Sequence, residues 1–128
     1  MDQKQKKVLI VEDDNDARGI FIEVLKDGGL EVVGAVDGND ALSKMVEMKF
    51  DLILLDIIMP NKDGITTLTE IKANPTKYGD ADIYMLTNID SDITIQKAVE
   101  LGAKGYFLKT DLNPDKLIET VKKYLSIK

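Results

Sequence analysis

Three consecutive acids, Glu12-Asp13-Asp14, close the apolar run VLIV, and a single acid, Asp56, closes the run LILL. Thr87 and Lys109 stand in the same way at the ends of two later apolar stretches. Glu12, Asp13 and Asp56 together carry about −3 when ionised, and like charges that close raise one another's pKa unless cations offset them. A divalent cation together with Lys109 supplies roughly +3. Hard carboxylates favour Mg2+, Mn2+ or Ca2+ over soft metals, and among these Mg2+ takes few carboxylates and completes its shell with waters and phosphate oxygens. Taken singly, each residue has a plainer reading. An acid after a strand caps the next helix, as Asp14 or Asn15 is expected to do, a strand-end lysine is solvated, and a threonine is an ordinary β-branched strand residue. The combination, in this order along the chain, points to a metal-binding site.

These residues meet only if the elements beneath them are neighbours. The spacing predicts strands at Val8–Val11, Glu31–Val36, Asp51–Asp56, Asp82–Leu86 and Gly105–Lys109. VLIV and LILL are apolar without alternation, as in parallel strands covered on both faces. Helical period appears between them. Ala17, Ile20, Phe21, Val24 and Leu25 form one face, ended by Gly28-Gly29, and Ala41, Leu42, Met45 and Val46 form a second. Ile65, Leu68 and Ile71 mark a third helix, entered through Asp63-Gly64 and ended near Pro75. A fourth runs from about Ser91 to Leu101, with Gly102 as its stop. A fifth starts at Asn113-Pro114 and carries Leu117, Ile118, Val121, Tyr124 and Leu125. Repeated βα units with right-handed crossovers require a doubly wound open parallel sheet with helices on both faces. Such sheets carry their sites beyond the carboxyl ends of the strands, where the acids, Thr87 and Lys109 lie.

The 128 residues, 44% hydrophobic and 31% charged, suit a single α/β domain over 1–128 with residues 1–6 as a flexible lead. No apolar run is long enough to span a bilayer, and no secretory signal opens the chain. The absence of cysteine fits a reducing cytoplasm, and the absence of histidine removes His-based triads and phosphohistidine carriers. A net charge of −6 disfavours non-specific binding to nucleic acid or to anionic membranes.

VLIVEDD at 8–14, DLILLDIIMPNKDG at 51–64, MLTN at 85–88 and GAKGYFLK at 102–109 resemble the receiver domain of bacterial two-component response regulators, over Lys7 to Leu125. The resemblance implies a flavodoxin-like fold with strand order 2-1-3-4-5, an order that a chemotaxis member of this family exemplifies. It makes Asp56 the phosphoacceptor, and has Asp13 and Glu12 hold Mg2+ directly or through water, with the backbone carbonyl of Ile58 as a further ligand. Thr87 becomes the switch hydroxyl, Lys109 the phosphate-pairing cation, and Tyr106 the aromatic whose rotamer follows the state. The implied donor is a phosphohistidine on a sensor histidine kinase or phosphotransfer protein. The implied output is a downstream protein bound at the fourth helix, fifth strand and fifth helix, by a stand-alone monomer or weak phosphorylation-dependent dimer. Such a protein is no enzyme towards other substrates. It catalyses its own phosphorylation and dephosphorylation.

The chain departs from the family at Thr110, where proline is usual and often cis, so either a trans Lys109–Thr110 bond or the family's geometry held under strain is expected. Asn88 stands where smaller residues are commoner, and would alter the inward path of Tyr106. Ile58 and Ile89 flank the expected phosphoryl group and would either slow its hydrolysis or belong to a docking patch. Three rival functions share parts of this pattern. A haloacid-dehalogenase-type phosphohydrolase needs a second acid where Ile58 stands. A flavodoxin-type flavin binder needs a Ser/Thr/Gly-rich loop where Glu12-Asp13-Asp14 would repel phosphate. A pseudo-receiver, a docking module without phosphotransfer, would usually have lost the acid pair, the acceptor or the lysine.

Overall fold

The computed structural model describes residues 5–88, 92–109 and 113–125. Strands β1 (Lys7–Val11), β2 (Glu31–Ala35), β3 (Leu52–Asp56), β4 (Asp82–Thr87) and β5 (Gly105–Leu108) form one parallel sheet in the order β2-β1-β3-β4-β5. This is the order the resemblance implied, and it makes the ends of β1, β3, β4 and β5 contiguous.

Strand alternation divides the core in two. Leu9, Val11, Ile53, Leu55, Ile83 and Met85 pack on one side, under α2 (Gly38–Glu47), α3 (Gly64–Ala73) and α5 (Asp92–Glu100). Val8, Ile10, Leu52, Leu54, Leu86 and Phe107 pack on the other, under α1 (Asn15–Asp27) and α6 (Pro114–Tyr124). Burial on both faces explains why the central strands read as unbroken apolar runs.

Caps set the helix starts. Asp14 caps α1, accepting from the Asp16 and Ala17 N–H groups, and Asp63 caps α3, accepting from Thr66 N–H at 2.7 Å. Asn113 caps α6 with Pro114 at its first position, as the sequence suggested.

Some expectations need correcting. Ile20 and Val46, assigned to buried helix faces, are exposed. Helix α1 buries Phe21 and Leu25, and α2 buries Ala41, Leu42 and Met45, so both misplaced residues fall on the solvent edge of a narrower stripe. A further one-turn helix, α4 (Pro75–Tyr78), follows α3 directly, with Asn74 ending one and capping the next. The fourth and fifth helices expected from the sequence are therefore α5 and α6. The start expected at Ser91 lies outside the described residues. Of the lead, residues 1–4 also lie outside them, while Gln5 Nε2 donates to the Gly29 carbonyl and the Lys6 carbonyl accepts from Glu31 N–H. Among the described residues no helix is long and apolar enough to cross a membrane.

Candidate functional site

At the carboxyl edge of the sheet, β1 leads into Glu12, β3 ends in Asp56, and Lys109 follows β5. Lys109 Nζ donates to Asp56 Oδ2 at 2.7 Å and forms an ion pair with Glu12 Oε1. The side chains of Glu12 and Asp56 are 1% and 7% exposed, so both charges depend on this ammonium rather than on water. Glu12 Oε2 accepts from the Asp14 N–H at 3.1 Å. Glu12 Oε1, although beside Lys109, accepts no directed hydrogen bond and is fully buried.

Carboxylate oxygens of Glu12, Asp13 and Asp56 lie within 4.8 Å of one another. Ligands opposed across Mg2+ stand about 4.2 Å apart, twice its bond length, so little closing is required. A buried Glu12 oxygen whose one partner is an ammonium shared with Asp56, and an excess of carboxylates over that lysine, both fit a divalent cation. Asp13 reports the same excess. Burial and the neighbouring Glu12, through a hydrogen bond and its charge, push the Asp13 carboxyl above the usual range, against smaller opposing effects of its own backbone and Lys109. Lys109 is pushed upward too. Burial works against its charge, but Asp56 and Glu12 outweigh that effect.

The turn after β3 is built around Asp56. Ile57 N–H donates to the Leu86 carbonyl at 3.2 Å, and Gly64 N–H closes the loop onto the Ile57 carbonyl at 2.8 Å. Asn61, at φ 66°, sits in the left-handed region that asparagine tolerates, and its side chain donates to Asp37 Oδ2 at 2.8 Å. A Cβ added at Gly64 would stand 2.1 Å from the Asp56 carbonyl oxygen and 2.9 Å from Ile57 Cα. Both obstacles are backbone and cannot rotate away. Gly64→Ala should therefore cost about 3 kcal/mol, read as a lower urea midpoint with an unchanged slope.

A family model for the response regulator receiver domain matches residues 8–122. The chain belongs to this family. Among curated relatives, the transcriptional regulatory protein ZraR of Salmonella typhimurium is 39% identical over 120 residues, which cover 93% of this chain. The chain spans only 26% of ZraR's own length. Among solved structures, the chemotaxis protein CheY4 of Vibrio cholerae superposes with a TM-score of 0.86 at 32% identity, covering 94% of this chain and 98% of that one. A two-component response regulator from Clostridium difficile gives 0.85 at 31% identity, over 95% and 97%.

The receiver site thus brings together Glu12, Asp13, Asp56 and Lys109. Thr87 is buried at the end of β4 and pairs in register with Leu108, while Met85 pairs with Tyr106. By strand alternation Thr87 and Tyr106 lie on the same face of the sheet, the side covered by α5. The Tyr106 side chain is 39% exposed. Ile58, two residues past Asp56, turns its side chain to solvent at 64% exposure. Ile89 and the Lys109–Thr110 bond lie outside the described residues. Two features escaped the sequence reading. Tyr124 stacks on Tyr84, with centroids 3.6 Å apart, and its hydroxyl reaches the Tyr106 carbonyl at 3.5 Å. Arg18 bonds the Glu12 carbonyl.

Proposed function

We propose that this receiver domain is a phosphorylation-activated switch in which Asp56 takes a phosphoryl group from a phosphohistidine of a sensor histidine kinase or phosphotransfer protein. The observation that carries this reading is the buried Asp56 carboxylate held at 2.7 Å by Lys109 beside a cation-seeking acid pair. A carboxylate oxygen of Asp56 attacks phosphorus, the P–N bond to the donor imidazole breaks, and its electron pair leaves with the ring nitrogen. Glu12, Asp13 and Asp56, with the Ile58 carbonyl, would hold Mg2+, which would supply charge neutralisation for the transferring oxygens. Lys109 supplies a second, fixed positive charge beside Asp56, and the chain's other task is to position these parts.

The acyl phosphate places new acceptor oxygens near the end of β4. Thr87 then turns its hydroxyl towards them, Tyr106 moves inward from its exposed position, and the α5–β5–α6 surface changes for a downstream protein. The chemistry is confined to the chain's own phosphorylation and dephosphorylation, in a cytoplasmic setting.

Incubation with acetyl phosphate should give Mg2+-dependent uptake of a phosphoryl group, mapped to Asp56 by mass spectrometry. Beryllofluoride with Mg2+ should shift the amide resonances of α5 and β5. Uptake at another residue, or no response to either reagent, would reject the reading and leave a docking module without phosphotransfer.

A further inference from the structure

We infer that Arg18 is a positioning residue for the acid pair: from α1 its guanidinium fastens the peptide group that joins Glu12 to Asp13. This rests on the reading of those two acids as holders of Mg2+. Arg18 Nη1 donates to the Glu12 carbonyl at 2.8 Å, and Nη2 donates to Asn15 Oδ1 at 2.5 Å. On the other side, Glu12 N–H donates to the Ala35 carbonyl of β2 at 3.0 Å. The backbone of Glu12 is therefore held from both directions, and the two side chains that flank its peptide are aimed by a fixed frame. Glu12 Oε1, left without a directed hydrogen bond, is the atom such aiming would serve.

Gly34 makes the reach possible. A Cβ there would lie 3.1 Å from Arg18 Cδ and 2.8 Å from Ile22 Cδ1. Glycine weakens a strand interior and marks close approach by another group, and here both Ile22 and the stem of Arg18 lie over β2. The residue type matters as well. A planar fork can hold the Glu12 carbonyl and Asn15 together, whereas an ammonium is a compact charge with no such fixed geometry.

Partners that orient metal ligands are worth about tenfold or more in metal affinity. Mg2+ titration of the full chain, followed by calorimetry and by the amide resonances of residues 12 and 13, tests the assignment. Arg18→Ala should bind Mg2+ about tenfold more weakly, and Arg18→Lys about threefold more weakly. Ile22 lies against the same glycine of β2 but has no polar group to offer Glu12, so Ile22→Ala is the packing control. It should lose thermal stability yet keep the wild-type Mg2+ affinity.

Equal affinity in Arg18→Ala and wild type overturns the proposal alone, as does an equal loss in Ile22→Ala. If Arg18→Ala does not fold, Arg18→Lys decides: wild-type affinity there overturns the proposal. A wild-type chain that binds no Mg2+ overturns the site reading and this inference together.

Discussion

A chain carrying Asp56→Asn should take up no phosphoryl group from acetyl phosphate while keeping its fold. The amide differs from the carboxylate by one atom and nearly nothing in shape, but its oxygen carries no full charge and its nitrogen is a poor nucleophile. Lys109 can still donate to that oxygen, and it keeps its ion pair with Glu12. The buried site also loses one of the acids that crowd Asp13. The melting temperature should therefore move by only a few degrees, the span of about 1 kcal/mol in a domain of this size. Phosphate incorporation and a thermal melt, read side by side, check both halves. Residual uptake at the wild-type rate would move the acceptor elsewhere.

Lys109→Met should damage both stability and transfer. The methionine keeps the aliphatic stem but strands two buried carboxylates, and removing one partner of a buried pair costs about 3 kcal/mol. The melting temperature should fall by about 10 °C, and Mg2+ should restore part of that by taking over the counter-charge. Phosphoryl uptake should slow by about 100-fold, the usual loss when one fixed stabiliser of developing charge is removed.

The pH dependence has a definite sign. The folded-state pKa of Lys109 is raised above 10.5, so folding favours the protonated amine. Its contribution is complete below the unfolded value and disappears as pH rises through the folded one. Urea melts from neutral pH to about pH 11 should show the wild-type advantage over Lys109→Met shrinking only at the alkaline end.

The sequence was most readable where burial is symmetrical. LILL and VLIV announced central parallel strands because both their faces meet helices, and Asp63-Gly64 and Asn113-Pro114 announced helix starts through side-chain chemistry. Strand order was a different matter. Spacing shows that βα units repeat but not which strands are neighbours, so β2-β1-β3-β4-β5 rested on the receiver motifs. The stripe boundaries at Ile20 and Val46 were misjudged because an apolar residue at the edge of a helical face can pack or protrude with the same spacing. Helix α4 was missed because PTKY after Asn74 is a single turn with no period to detect.

The acids, Thr87 and Lys109 were visible as strand-end residues. Arg18 was not, since on a helical wheel it is one more charged residue. Its signal lay in another element. Gly34 interrupts the apolar strand EVVGA, and a glycine inside a strand asks what passes over it.

The ammonium that compensates the site stands just after β5, 53 residues beyond Asp56. At a synthesis rate of about 5 to 20 residues per second, the acceptor strand emerges roughly 3 to 10 s before its partner. During that interval β1 and β3 can pair, but their carboxylates repel across the nascent sheet edge with no lysine between them. Until β5 arrives, only a cation from solution can offset those charges. Lys109 thus ties the charge balance of the phosphate-receiving pocket to the placement of β5, the last strand of the sheet to be made.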